Sequence, residues 1–314
     1  MRFNSFALAA ATVASVTAQR PSDTPICDYY TTALLKNNTA ENQLGLLTVL
    51  VNTVVIGNYT KPNVGIKVPG ILAPGKINGT DVNLLPYFSG DLASTNRGGK
   101  KGVSVNFLDG GAAKPLMKNK PADSEDSNQY FLLTHLYQFF GSLLGCSKQG
   151  MSGFDAYTAE ASMYKVHKFM DLDYYEVTYF VTQVGLAAAS FGVAEDDIKA
   201  VATALNSLFN VRCAPATTVI KAQGSALQSI CIDTKTCPLA MDGVCSKYDT
   251  PVEPKNATAE EKSSAMASGT MSMTMTETST ATGTSEASSV ETGAAVANGL
   301  SLAAVAVGFA AFML

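Results

Sequence analysis

Between Ser127 and Phe209 apolar residues return every three or four positions, and that period restricts this part of the chain to helices. From Gln129 to Leu144 the residues Leu132, His135 or Leu136, Phe139, Phe140 and Leu143 share one face. From Tyr157 to Met170, steps of four and three bring Met163, His167 and Met170 together. Asp171 stands where it can cap the next helix, whose inner face is Val177, Phe180, Val181, Val184 and Ala188 and which closes at Gly192. Glu195, Asp196 and Asp197 occupy the positive start of a last helix with Ile198, Val201, Ala202, Leu205 and Leu208 inside. The fold class that follows is mainly α.

Upstream, Asn38 as N-cap with Glu41 three residues on reads as the start of a deeply buried helix that stops at Gly57. Its β-branched residues leave a strand open as the alternative. From Asn58 to Asp126 the chain turns Gly- and Pro-rich, a long insertion for a compact domain. Val103, Val105 and Phe107 alternate ahead of Asp109-Gly110, which predicts a small hairpin there.

The two ends read as delivery and anchoring. Arg2, the apolar run Phe6–Val16 and the small residues before Gln19 have the form of a secretory signal peptide over residues 1–18. Leu300–Leu314 is an uncharged apolar tail preceded by small residues and a Ser/Thr-rich tract, the order of a signal for replacement by a glycosylphosphatidylinositol (GPI) lipid. Gly293 and Ser288 are the candidate attachment residues, and a short tail-anchor helix is the alternative. The expected organisation is an ectodomain over 19–254, with a helical core over 38–210 and a Cys-rich end over 211–250. A stalk over 255–293 and a propeptide over 294–314 follow. The stalk lacks any apolar period and is expected to be disordered and O-glycosylated. Its alternating Met residues have the softness of copper ligands, though a plain solvated linker explains them better.

Six cysteines, Cys27, Cys146, Cys213, Cys231, Cys237 and Cys245, suit up to three disulfides in a secreted domain. Connectivity stays open at this point. No C-x-x-C pair proposes zinc. Asn37, Asn58, Asn78 and Asn256 head sequons. A net charge of −4 without a basic cluster argues against nucleic acid as partner. The expected location is the outer face of the plasma membrane, held by the lipid, with cell-wall glycan as a further partner.

His135 and His167 are the only histidines. A histidine on an apolar helical face is ordinarily a core residue, yet two of them can also face each other across a flat cofactor. The order Phe140 to Gly145, Tyr157, Met163 and His167, Gly192 to Ile198, Val201 and Leu205 resembles the second half of truncated, two-over-two globins. Leu84–Leu92 resembles the element that closes that family's early helices. The resemblance implies a globin-like helical domain that binds haem and, through it, dioxygen or another gas. It implies His167 as proximal iron ligand, with His135, Leu136, Phe139, Phe140 and Met163 lining the pocket. Lys165 and Lys168, with Arg97, Lys100 and Lys101, are the cations available to haem propionates. The chain departs from the family at Gly145-Cys146, where a Gly-Gly pair is usual. It departs again at Asn52, nearest the register of a ligand-binding Tyr, and in both the insertion and the Cys-rich end.

The competing reading is a cell-surface protein for structure or interaction that uses no cofactor. The stalk and tether resemble those of fungal surface proteins and suit both readings. Hydrolase chemistry has weak support, since neither G-x-S-x-G nor H-E-x-x-H occurs. Asp171, Asp173 and Glu176 cluster as a glycosidase pair would, although helix capping explains them more simply.

Overall fold

The computed structural model describes residues 20–60 and 63–267. The leader, the lipid-attachment candidates Ser288 and Gly293 and most of the stalk lie outside these. In chain order the helices are α1 (Ile26–Leu35), α2 (Ala40–Ile56), α3 (Leu85–Ser89), α4 (Ala113–Leu116), α5 (Asn128–Leu143), α6 (Met163–His167), α7 (Tyr174–Ser190), α8 (Glu195–Phe209) and α9 (Ala259–Ala267). A two-stranded antiparallel hairpin, β1 (Gly75–Ile77) and β2 (Thr80–Val82), falls between α2 and α3. Helix α2 lies against α1, α5 and α7, and α7 lies against α8 and the hairpin.

Local chemistry explains most boundaries, and several differ from the sequence expectation. Helix α2 is a helix, not a strand, and its cap is Thr39, one residue past Asn38: the Thr39 hydroxyl accepts from the Asn42 N–H at 3.2 Å. Helix α1 escaped the periodicity reading altogether. The segment expected to be helical from Tyr157 to Met170 shortens to α6, because Ser162 caps it and residues 161–163 are held by Leu227 and Gln228. The cap of α7 is Asp173, two positions beyond Asp171; Asp171 instead takes φ 48° and reverses the chain.

The hairpin is real but displaced. Val103 makes one bridge with Thr95, whereas the ladder forms around Asn78-Gly79, both at positive φ (49° and 85°). That is the backbone a two-residue type I′ turn requires, and Asn-Gly supplies it.

The Gly/Pro-rich connection is ordered because it closes the end of α2. The last-turn carbonyls of Val54 and Val55 have no partner within the helix and accept instead from Ile71 and Leu72 at 2.8 and 3.2 Å. Such close approach needs glycine on both sides. A Cβ on Gly57 (φ 82°) would lie 2.5 Å from the Val68 carbonyl, and one on Gly70 (φ 85°) would lie 2.3 Å from the Gly57 nitrogen.

Three disulfides staple the head: Cys27–Cys146, Cys213–Cys245 and Cys231–Cys237. The first joins α1 to the end of α5. The other two fold the Cys-rich end back, so that Ile230 and Cys231 donate to the Phe209 carbonyl and Ile232 donates to that of Leu172. The start of the expected stalk is ordered against the head. Ala93 donates to the Lys255 carbonyl, Ala257 donates to that of Asp91, and Lys262 pairs with Asp91 at 2.6 Å.

Buried amide side chains carry the loops inside the helical framework. Gln129, on α5, accepts from the Ala112 N–H at 2.8 Å and donates to the carbonyls of Ala112 and Pro121 at 3.0 and 2.9 Å. Replacing it by Leu orphans three backbone groups at roughly 1–3 kcal/mol each before relaxation. Gln129→Leu is therefore expected to lower the urea midpoint by the equivalent of about 3 kcal/mol, whereas Gln138→Leu, whose side chain is only half-buried, should cost well under half of that.

Candidate functional site

The two histidines belong to different helices and are held in the same way. On α5, Ser127 caps the N-terminus and Asp109 accepts from the backbone N–H groups of Asn128 and Gln129 at 3.1 and 3.0 Å, which fixes the helix start. Two turns on, half-buried His135 stacks on Phe131 with ring centroids 4.1 Å apart and hydrogen-bonds the Phe131 carbonyl through Nδ1. The Arg97 guanidinium lies over the same Phe131 ring at 4.7 Å and over that of Phe107 at 5.6 Å, and bonds the Asn128 side chain. Burial, joined by the charge of Arg97, holds the His135 pKa below the usual imidazole range.

His167 ends α6, with Nδ1 against the Met163 carbonyl at 2.8 Å, and burial lowers its pKa too. A carbonyl partner assigns the proton to Nδ1 and leaves the Nε2 lone pair available. Each ring thus has the tautomer of a metal ligand. Among the described residues no group of three His, Cys, Asp or Glu is placed to hold a metal ion.

The side chains that the globin resemblance implies as a pocket lining pack within the hydrophobic core. Phe139, Phe140 and Met163 are buried and Leu136 is half-buried, but they do not converge on one space. Phe139 packs against Tyr157 and Phe209 at 5.5 and 6.2 Å, whereas Phe140 faces Phe180 at 6.5 Å. Tyr157 stands edge-on to both His135 (6.0 Å) and Phe139, with its hydroxyl donated to the Glu160 carbonyl at 2.8 Å. Of the two best-formed cavities among the described residues, neither is lined by His135 or His167. Asn52 is fully buried; its amide accepts from the Tyr137 hydroxyl and donates to the Leu116 carbonyl. Two of the cations expected for propionates are paired with carboxylates: Lys165 with Glu160 at 3.5 Å and Lys168 with Asp249 at 3.2 Å.

The carboxyl pushed furthest from its ordinary range lies elsewhere, at Glu176. Glu176 accepts from the Asp173 N–H at 3.1 Å while Asp173 accepts from the Glu176 N–H at 2.7 Å, a reciprocal capping box at the start of α7. The second Glu176 oxygen accepts from the Tyr87 hydroxyl at 3.0 Å, which ties α3 to α7. Burial, with the charges of Asp173 and Asp171 adding to it, pushes the Glu176 pKa up to about 7. Asp171 is raised by burial and by neighbouring carboxylates, and its Oδ1 is buried without a partner. Both oxygens of Glu176 are engaged, one in the capping box and one in the cross-link to Tyr87, so the cluster serves the capping expected of it while its cap is Asp173 rather than Asp171. Tyr87 carried no signal in the sequence, because nothing local links it to a residue 89 positions away.

Comparison with known protein families, with curated proteins and with solved structures gives no match.

The Glu176 carboxyl has a worked-out pH consequence. Below pH 4.5, its ordinary value, it is protonated both folded and unfolded. As pH rises from there through about 7, the unfolded chain releases the proton first and the folded state loses stability. Gln can keep the capping box without the charge. Glu176→Gln is expected to match the wild type near pH 4.5 and to unfold at higher urea than the wild type at pH 8. Equal midpoints at both pH values would contradict the raised pKa.

Proposed function

We propose that this chain is an extracellular presentation module: a disulfide-stapled helical head, globin-like in the order α5, α6, α7 and α8 but without haem, carried on a Ser/Thr-rich stalk and tethered by a GPI lipid. It works by offering its surface to cell-surface or wall material. The observation that supports the reading is the ring packing about His135, where Tyr157 stands edge-on to both His135 and Phe139. Three disulfides suit an oxidising exterior. The four sequon asparagines, Asn37, Asn58, Asn78 and Asn256, are all exposed, as attached glycans require. The stalk leaves the head along the edge formed by Asp91–Ala93, so that edge would face the membrane and leave other faces for contact.

Expressed in full in a secretory eukaryotic host, the protein is expected to be released from intact cells by a phosphatidylinositol-specific phospholipase C and to lose mass on N-glycosidase treatment. Added haemin is expected to give only the spectrum of free haemin. A sharp Soret band abolished by His167→Ala would replace this reading with a haem protein that uses the free Nε2 of His167, and retention on cells after the lipase would remove the lipid tether.

A further inference from the structure

Helices α1, α2, α7 and α8, with the end of α5, enclose a pocket whose walls are apolar almost throughout, among them Leu34, Leu46, Leu50, Val184, Ile198 and Val201. About 690 Å3 between these walls is unfilled, counting the open mouth, and about 50 Å3 of it is deep enough to seat the centre of a water-sized body. One water needs about 10–15 Å3 on that measure together with polar partners, which these walls do not offer. Leu34 is 39 % exposed at the rim.

The wall formed by α1 is fixed in position by two ties one turn apart. Cys27 is bonded to Cys146, and the Tyr30 hydroxyl donates to Asp197 at 2.8 Å while Arg20 pairs with the same carboxylate at 2.8 Å. The wall contributed by α7 contains Gly185, in the middle of a helix where glycine costs roughly 0.5–1 kcal/mol relative to alanine. Backbone conformation does not call for it, since it is not among the positive-φ glycines, and crowding does not either: a Cβ there would meet Ile198 Cγ2 at an ordinary 3.5 Å. What a side chain at Gly185 would remove is pocket space.

We propose that this pocket binds the methyl end of a linear alkyl or acyl chain, with the polar head left in solvent beyond Leu34. Its depth suits a few chain carbons rather than a ring system, and its apolar walls exclude a polar ligand on desolvation cost. The inference does not depend on the tether or on the absence of haem. The chain is supplied either by a free fatty acid or by a membrane lipid.

The test uses the full secreted protein, dodecanoate below its micellar concentration and, separately, neutral phosphatidylcholine vesicles. Calorimetry is expected to show saturable uptake of one dodecanoate per protein. Gly185→Leu and Ala188→Leu, which fill the pocket, should each weaken it at least tenfold while circular dichroism and the melting temperature show an intact fold. If one variant fails to fold, the other carries the comparison, and competition of dodecanoate by decanol in the wild type tests the same point without mutation. Vesicle flotation that the plugging variants abolish identifies membrane lipid as the source; dodecanoate uptake without flotation identifies the free acid. Absence of saturable uptake by the wild type, or uptake unchanged in a folded plugged variant, overturns the proposal.

Discussion

Burying loops is what this fold must solve, and buried carboxamides are its means. A loop taken inside a protein carries N–H and C=O groups that cost several kcal/mol if left bare. Here Gln43, Asn52, Gln129, Gln183 and Gln228 are each almost completely buried and each meets such groups. Gln43 accepts from the Lys148 N–H, Asn52 donates to the Leu116 carbonyl, Gln183 accepts from the Gly70 N–H, and Gln228 donates to the Ala161 carbonyl. Because the amides sit on helices α2, α5 and α7 or on the Cys-rich end, the long insertion becomes part of the core rather than a cover over it.

That arrangement also decides the fate of the two histidines. The turn that carries Arg97 packs against α6 and reaches across the start of α5, so the insertion occupies ground between the histidine helices. Tyr157, in the loop between α5 and α6, fills the face of His135 and Phe139. What remains unfilled lies on the far side of α5's C-terminal end, where Phe140 turns toward α7 and the apolar pocket opens.

Much of the framework was legible. The helices α5, α7 and α8 sit within a residue or two of their periodic patterns, because amphipathic spacing and acidic first turns are local signals. That an acidic residue caps α7 was visible for the same reason, but the cap fell on Asp171 in that reading and on Asp173 in the structure. Misplaced features share the opposite property. The hairpin at Asn78-Gly79 was overlooked because its strands are three residues each, too short to display alternation, while Val103–Phe107 alternates without a partner strand. Helix α1 has a mixed face whose inner residues, Cys27, Tyr30 and Thr31, are not a conventional apolar stripe. The site was less legible than the fold: the Tyr87–Glu176 bond and the pocket are both contacts between distant segments.

By itself, the sequence determined a mainly helical head, an even set of cysteines fit for an oxidising compartment, and a Ser/Thr-rich segment without an apolar period, because composition and short-range period act within a few residues. Only the tertiary structure decided which cysteines pair, which carbonyls the buried amides meet, and whether His135 and His167 share a cavity. Those outcomes depend on segments that meet from far apart in the chain, as Cys27 and Cys146 do across 119 residues. A residue's identity states what it can bond, and packing alone selects the partner.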